Sequence, residues 1–223
     1  MIKCVFFDLD DTLHDSSRLA RLARRAALHM MISKGLPVSL DEGYSRLVRI
    51  VKEKGSNYPG HYDLLTEEIV GKRDYKLVSA GIIGYHNTKF AMMQPFSDTL
   101  PTLIELKKMD LALNILTNGR AVKQWEKVLR LGLESFFDNV IISEVVGHSK
   151  PDPEIYKSAL DIAGCAPGEA LFVDNSLACI TGAKQCGIHT VLMNRERQQA
   201  PSDCCDIVID SLSQLPEAIE SFI

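Results

Sequence analysis

Apolar residues in this chain fall into two kinds of run. The short, unbroken, β-branched ones are Lys3–Asp8, Ala112–Thr117, Asn139–Ser143, Ala170–Asp174 and His189–Met193, with a weaker sixth at Asp206–Ile209. A run without polar alternation predicts a strand covered on both faces. Between the later runs apolar residues recur at helical spacing and stop at glycine. Val122, Trp125 and Leu129 precede Gly132; Ile155, Ala159, Leu160 and Ala163 precede Gly164; Ile180 and Ala183 precede Gly187. Glycine just past a helix supplies the left-handed residue that closes its last turn. Alternating strands and helices, joined by connections long enough for right-handed crossovers, predict an α/β fold with a doubly wound parallel, Rossmann-like sheet.

One stretch breaks the rhythm. From about Asp15 to Gln94 there are helical patterns and no strand. Ser16 or Ser17 is placed to cap a helix with the stripe Leu19, Leu22, Ala23 and Ala26, ending near Gly35. Ser39 and Glu42 form a capping-box pattern before Tyr44, Leu47, Val48 and Val51. Helices over roughly His61–Val70 and Tyr75–Met93 follow, and Pro95 stops the run. The expected organisation is a core domain of residues 1–14 and 95–223, with a small all-helical cap, residues 15–94, inserted after the first strand.

Composition adds little until it is divided. The 223 residues hold 25 Lys plus Arg and 29 Asp plus Glu, a net charge of −4 that excludes a generally basic nucleic-acid binder. No apolar run reaches the roughly 18–20 residues of a membrane span, and the early acids of MIKCVFFDLDD do not suit a secretory signal. A cytoplasmic protein with no membrane or nucleic-acid partner is expected, its six cysteines reduced and mostly filling the core. The 15–94 insertion holds 13 basic and 8 acidic residues, net +5; the remainder holds 12 and 21, net −9. An acidic core beside a basic insertion suits a metal ion and an anionic substrate.

In an open parallel sheet, ligands bind outside the carboxyl ends of the strands. Four such ends carry polar groups: Asp8-Leu9-Asp10-Asp11-Thr12 after the first strand, Thr117-Asn118-Gly119 after the second, His148-Ser149-Lys150-Pro151 after the third and Asp174-Asn175-Ser176 after the fourth. These are the residues phosphoryl transfer needs. A carboxylate attacks phosphorus without a base to activate it. A neighbouring carboxyl group protonates the leaving oxygen and then activates water. A divalent cation and a fixed positive charge offset the anion. Asp8 is thus the candidate nucleophile and Asp10 the acid and base. Thr117, Asn118 and Lys150 are the candidate phosphate-binding residues, and Asp8, Asp10 and Asp174 the candidate Mg²⁺ ligands.

With these residues in view, the chain resembles the haloacid dehalogenase-like hydrolase superfamily, in the branch with a helical cap after the first motif. VFFDLDDTL resembles its first motif, ILTNG the second, HSKPDPEIY the third with its lysine, and LFVDNSLACITGAKQCGI the fourth. Gly84–Phe90 (GYHNTKF) and Lys123–Lys127 (KQWEK) resemble the glyceraldehyde 3-phosphate phosphatase-like proteins of that branch. The resemblance implies Mg²⁺-dependent release of phosphate from a small phosphorylated metabolite through an aspartyl-phosphate. An acid at the Asp10 position marks phosphatases and phosphomutases rather than dehalogenases. The fourth motif departs from the family pattern: Val173 replaces a glycine, and Cys179 stands where a second acid is usual.

Two alternatives stay open at this level. A pyrimidine nucleotidase would need an aromatic stacking partner in the cap, for which Tyr44, Tyr58, Tyr62 and Tyr85 are candidates. A binding protein with a decayed metal site would explain Asn175 and Cys179. His86, Asn87 and Lys89, near the end of the insertion, are the candidates for setting substrate choice.

Overall fold

The computed structural model describes residues 1–196 and 203–222, and the end of the expected core domain at 197–202 and 223 lies outside the described residues. The elements in chain order are β1 (Cys4–Phe7), α1 (Ser16–Ser33), α2 (Leu40–Lys54), α3 (His61–Val70), α4 (Tyr75–Met92), α5 (Thr99–Lys108), β2 (Ala112–Thr117) and α6 (Ala121–Arg130). Then come β3 (Asn139–Ile142), α7 (Ser143–Val146), α8 (Pro153–Ala163), β4 (Ala170–Asp174), α9 (Leu177–Gln185), β5 (His189–Met193), β6 (Ile207–Ile209) and α10 (Leu215–Glu220). They form two compact units, Met1–Asp15 with Gln94–Ile223, and Ser16–Met93.

The first unit is built on a six-stranded sheet of order β3-β2-β1-β4-β5-β6. Every pair is parallel, with Cys4 opposite Ala112 on one side and Ala170 on the other. This is the doubly wound fold expected from the apolar runs. The chain winds outward from β1 through β2 to β3, then returns to β1's other side with β4. That reversal puts a crevice at the carboxyl ends of β1, β2 and β4. Phe6, Leu116, Ile155, Tyr156, Phe172 and Ile180 are buried together in the core on one face of the sheet.

Helix α6 corrects the sequence reading. Val122, Trp125 and Leu129, expected to face the core, are 82%, 38% and 56% exposed, whereas Gln124 and Val128 are buried. Periodicity identifies the apolar stripe but not what lies opposite it. Here α6 packs against the polar ends of β1 and β2, so Gln124 and Lys127 point inward. The cysteine expectation is corrected too: Cys4 and Cys165 form a disulfide across a sequence separation of 161 residues, while Cys179, Cys186, Cys204 and Cys205 are free. The parallel fold brings the start of β1 beside the turn after α8, a proximity that cysteine spacing does not reveal.

The second unit holds α1–α4 around Leu28, Met31, Leu47, Ile50, Leu65 and Leu77. Ser39 caps α2 by accepting from the Glu42 amide at 3.3 Å, but the expected box is only half formed, because the Glu42 carboxylate takes Arg46 at 2.6 Å instead. Asp74 caps α4 through the Leu77 amide at 3.1 Å. Helices α1 and α4 meet at Gly84, where a Cβ would lie 2.8 Å from the Ala26 carbonyl oxygen and 2.9 Å from the Ala27 Cα. Alanine at 84 gains ~1 kcal/mol of helix propensity, but overpacking against main chain costs about 1–3 kcal/mol. Gly84→Ala is therefore expected to lower the urea midpoint of this unit; an unchanged or raised midpoint would contradict the close packing.

Candidate active site

Asp8 leaves β1 with its amide still in the ladder, donating to the Val173 carbonyl at 2.9 Å. The chain then folds back sharply. Asp11 adopts a left-handed φ of 60°, and its amide donates to the His14 carbonyl at 2.9 Å. Aspartate tolerates that conformation better than most residues. The turn returns the buried His14 ring to Asp10, with Nε2 3.0 Å from Oδ1. Arg195, just after β5, grips Asp98 through two bonds of 2.9 and 3.0 Å and donates to the Thr12 carbonyl at 3.1 Å, tying down the loop that carries the acids.

Three of the expected residues converge in one buried cluster. The Lys150 ammonium donates to Asp8 Oδ1 and Asp174 Oδ2, both at 2.7 Å, and all three side chains are buried. Asp174 is held in turn by the Ser176 amide, 2.7 Å from Oδ1. Two acids share one base. Burial, strongest of the influences, with the charges of Asp174 and Asp10, outweighs Lys150 and pushes the Asp8 carboxyl up to about 7. Lys150 moves upward as well, since the two carboxylates overcome its own desolvation.

Asp10 stands apart from that pair. Its oxygens accept from the Lys127 ammonium at 2.7 and 2.5 Å, with His14 on Oδ1. Burial alone would raise this carboxyl, but the hydrogen bonds from His14 and Lys127 hold it well below the usual carboxylate range. Among the described residues no group of three His, Cys, Asp or Glu side chains is gathered for a metal ion, and the Asp10 carboxylate faces Lys127 on α6.

The second strand's residues divide their work. Thr117 is buried at the carboxyl end of β2, and its Oγ1 accepts from Gln124 Nε2 at 3.0 Å. The Asn118 side chain bonds the main chain of Lys150: Nδ2 donates to the Lys150 carbonyl and Oδ1 accepts from the Lys150 amide, each at 2.9 Å. The Asn118 side chain thus holds the Lys150 main chain in place. Gly119 follows at φ 142°, where a Cβ would sit 2.9 Å from Gln124 Nε2. Cys179, in the position where an acid is usual, is half-buried against the core, and burial pushes its thiol upward.

His14, Gln124 and Lys127 were not singled out from the sequence as site residues. The available signal was two polar residues three apart on a helix directly after the second motif, on the face opposite the apolar stripe. Of the candidates in the helical unit, His86 and Asn87 are exposed and Lys89 lies 5.8 Å from the Tyr85 ring. Tyr44 lies under Arg25 and Tyr58 packs against His61, so both have structural partners.

The model of the haloacid dehalogenase-like hydrolases matches residues 2–187. The chain belongs to that family. It is 44% identical over 226 residues to the glyceraldehyde 3-phosphate phosphatase of Methanothermobacter thermautotrophicus, covering 98% of this chain and 100% of the relative. Among solved structures, a haloacid dehalogenase-like phosphatase from Thermococcus onnurineus superposes with a TM-score of 0.73 at 27% identity, over 98% of both chains. The Bacillus subtilis hydrolase YfnB, solved bound to magnesium, shares the fold at 20% identity and a TM-score of 0.73, again over 98% of both chains. Within this hydrolase family the chain is a phosphoric monoester hydrolase, which sets aside the decayed binding protein.

Proposed function

We propose that the enzyme releases phosphate from a small phosphorylated metabolite, a triose phosphate of the glyceraldehyde 3-phosphate type, in the cytoplasm and with Mg²⁺. The observation that carries the reading is the buried Asp8–Lys150–Asp174 cluster, with both ion pairs at 2.7 Å, at the mouth of the sheet. The identity to the Methanothermobacter enzyme supports the substrate class.

Two buried carboxylates sharing one ammonium, one of them pushed up by burial and by its acidic neighbours, form a hard-oxygen site with surplus negative charge. Mg²⁺ fits such a donor set, since it is usually held by one or two carboxylates and completes its shell with water and phosphate oxygens. Asp8 and Asp174 would hold it. When bound it would offset the charge of the phosphoryl group approaching Asp8.

The chain's own residues do the rest. A carboxylate oxygen of Asp8 forms a bond to phosphorus while the bond to the ester oxygen breaks. Asp10, held ionised at rest by His14 and Lys127, must first take up a proton as the substrate binds; it then passes that proton to the departing alkoxide, so a neutral alcohol leaves. It then takes a proton from water, and that water attacks phosphorus, releasing inorganic phosphate and restoring Asp8. Lys150 offsets charge on the nucleophile and the phosphoryl oxygens, Thr117 and neighbouring amides donate to those oxygens, and Asn118 keeps Lys150 aimed. The 15–94 insertion, with its net +5, suits selection among anionic metabolites.

A panel of glyceraldehyde 3-phosphate, dihydroxyacetone phosphate, phosphoglycolate and pyrimidine nucleoside monophosphates, assayed for phosphate with Mg²⁺, tests the reading. The triose phosphates are expected to give the highest kcat/KM, with EDTA removing turnover and added Mg²⁺ restoring it. Faster turnover of the nucleotides would overturn the substrate class, and full activity in EDTA would overturn the metal.

A further inference from the structure

We propose that Lys127 is a positioning residue for Asp10, fixing from α6 the carboxyl group that serves the leaving oxygen and the attacking water. The inference deepens the phosphatase reading above and rests on it. Lys127 Nζ lies 2.7 Å from Oδ1 and 2.5 Å from Oδ2 of Asp10, so one ammonium grips both oxygens. One turn earlier on the same helix, Gln124 Nε2 donates to the Asn118 carbonyl at 2.5 Å and to Thr117 Oγ1 at 3.0 Å, and lies 3.4 Å from Asp10 Oδ2. His14 closes the near side at 3.0 Å.

Asp10 needs this support because it sits in a loop rather than on a strand. A proton carrier must lie within hydrogen-bond reach first of the leaving oxygen and then of water, and small misplacements are costly. A single contact would leave the carboxylate free to rotate about its last torsion. A grip on both oxygens from a regular helix fixes it, and helices hold such groups more accurately than loops do. The Lys127 ammonium is placed on Asp10 and that of Lys150 on Asp8 and Asp174. One cation therefore serves the nucleophile and another the proton carrier.

The test measures kcat/KM, which reports events up to the first chemical step, for an alkyl and an aryl ester. Lys127→Met is expected to lower kcat/KM about 10²-fold for glyceraldehyde 3-phosphate but less than about tenfold for p-nitrophenyl phosphate, whose leaving group needs little protonation. Lys127→Arg should restore most of the loss. In an Asp10→Asn background the Met substitution should cost nothing further, since its action passes through Asp10. Equal losses on both esters, or losses that multiply in the Asp10→Asn background, would overturn the proposal. If the Met variant does not fold, as judged by circular dichroism, Lys127→Gln carries the same comparison. A wild-type enzyme that cleaves no monoester removes the phosphatase reading and this inference together. An active wild type with multiplying losses removes the inference alone.

Discussion

Asp8→Asn is expected to reduce phosphate release by at least ~10³-fold while leaving the protein folded. The amide matches the carboxylate in size and keeps an oxygen for Lys150, but it cannot attack phosphorus. The substitution also removes one of two acids that share a single buried ammonium. Its thermal midpoint should therefore stay close to that of wild type, which separates lost chemistry from lost structure. A companion measurement uses the environment of the residue. Burial lifts the Asp8 carboxyl to about 7, so at limiting Mg²⁺ the wild-type kcat/KM should fall about tenfold per pH unit below that value as the nucleophile takes up a proton. Saturating Mg²⁺ favours the carboxylate and should move this limb to lower pH. Residual activity within tenfold of wild type in Asp8→Asn would sink the nucleophile assignment; an acid limb indifferent to Mg²⁺ would sink the shared site.

What could be read from the sequence follows from how each feature is encoded. Strands buried on both faces must be apolar throughout, so β1, β2, β3, β4 and β5 stood out as runs, and the crossover rule ordered them. Asp8, Lys150 and Asp174 lie at strand ends, where local position predicts convergence, and the structure brings these three together. Orientation about a helix axis is encoded differently. The exposed Val122–Trp125–Leu129 stripe of α6 looks like a core face because periodicity records which residues are alike, not what they meet. The inward face carries Gln124 and Lys127 because it meets Thr117 and Asp10, contacts set by tertiary structure alone. The same holds for the Cys4–Cys165 bridge and for Asn118, whose amide matches the Lys150 main chain only after two strands are side by side. Spacing groups the Asp10 carboxylate with Asp8 but does not reveal its partner Lys127, 117 residues away.

Lys150→Met should be costly in stability as well as activity. Lys150 is 6% exposed and supplies the positive charge within hydrogen-bond reach of both Asp8 and Asp174. Removing one partner from a buried ion pair typically costs ~3–5 kcal/mol, since the charge left behind has no compensation. Methionine fills much of the volume, so the loss is electrostatic rather than a cavity. The effect should depend on pH in a definite sense. Asp8 already binds its proton more tightly folded than unfolded, and without the lysine that preference strengthens. Between the ordinary aspartate value and the raised folded value, the native state then holds a proton that the unfolded chain has released. Stability must consequently fall as pH rises through that interval and recover as pH drops. Urea midpoints of Lys150→Met and wild type should thus lie farthest apart near pH 8 and approach one another near pH 5. Adding Asp8→Asn to Lys150→Met removes one uncompensated charge, so the double variant should be more stable than the single one at pH 8. Mg²⁺ should also raise the midpoint of Lys150→Met, because it binds the folded carboxylates and not the unfolded chain. A destabilisation independent of pH, with no recovery in the double variant, would mean that Lys150 acts through packing rather than by balancing two buried acids.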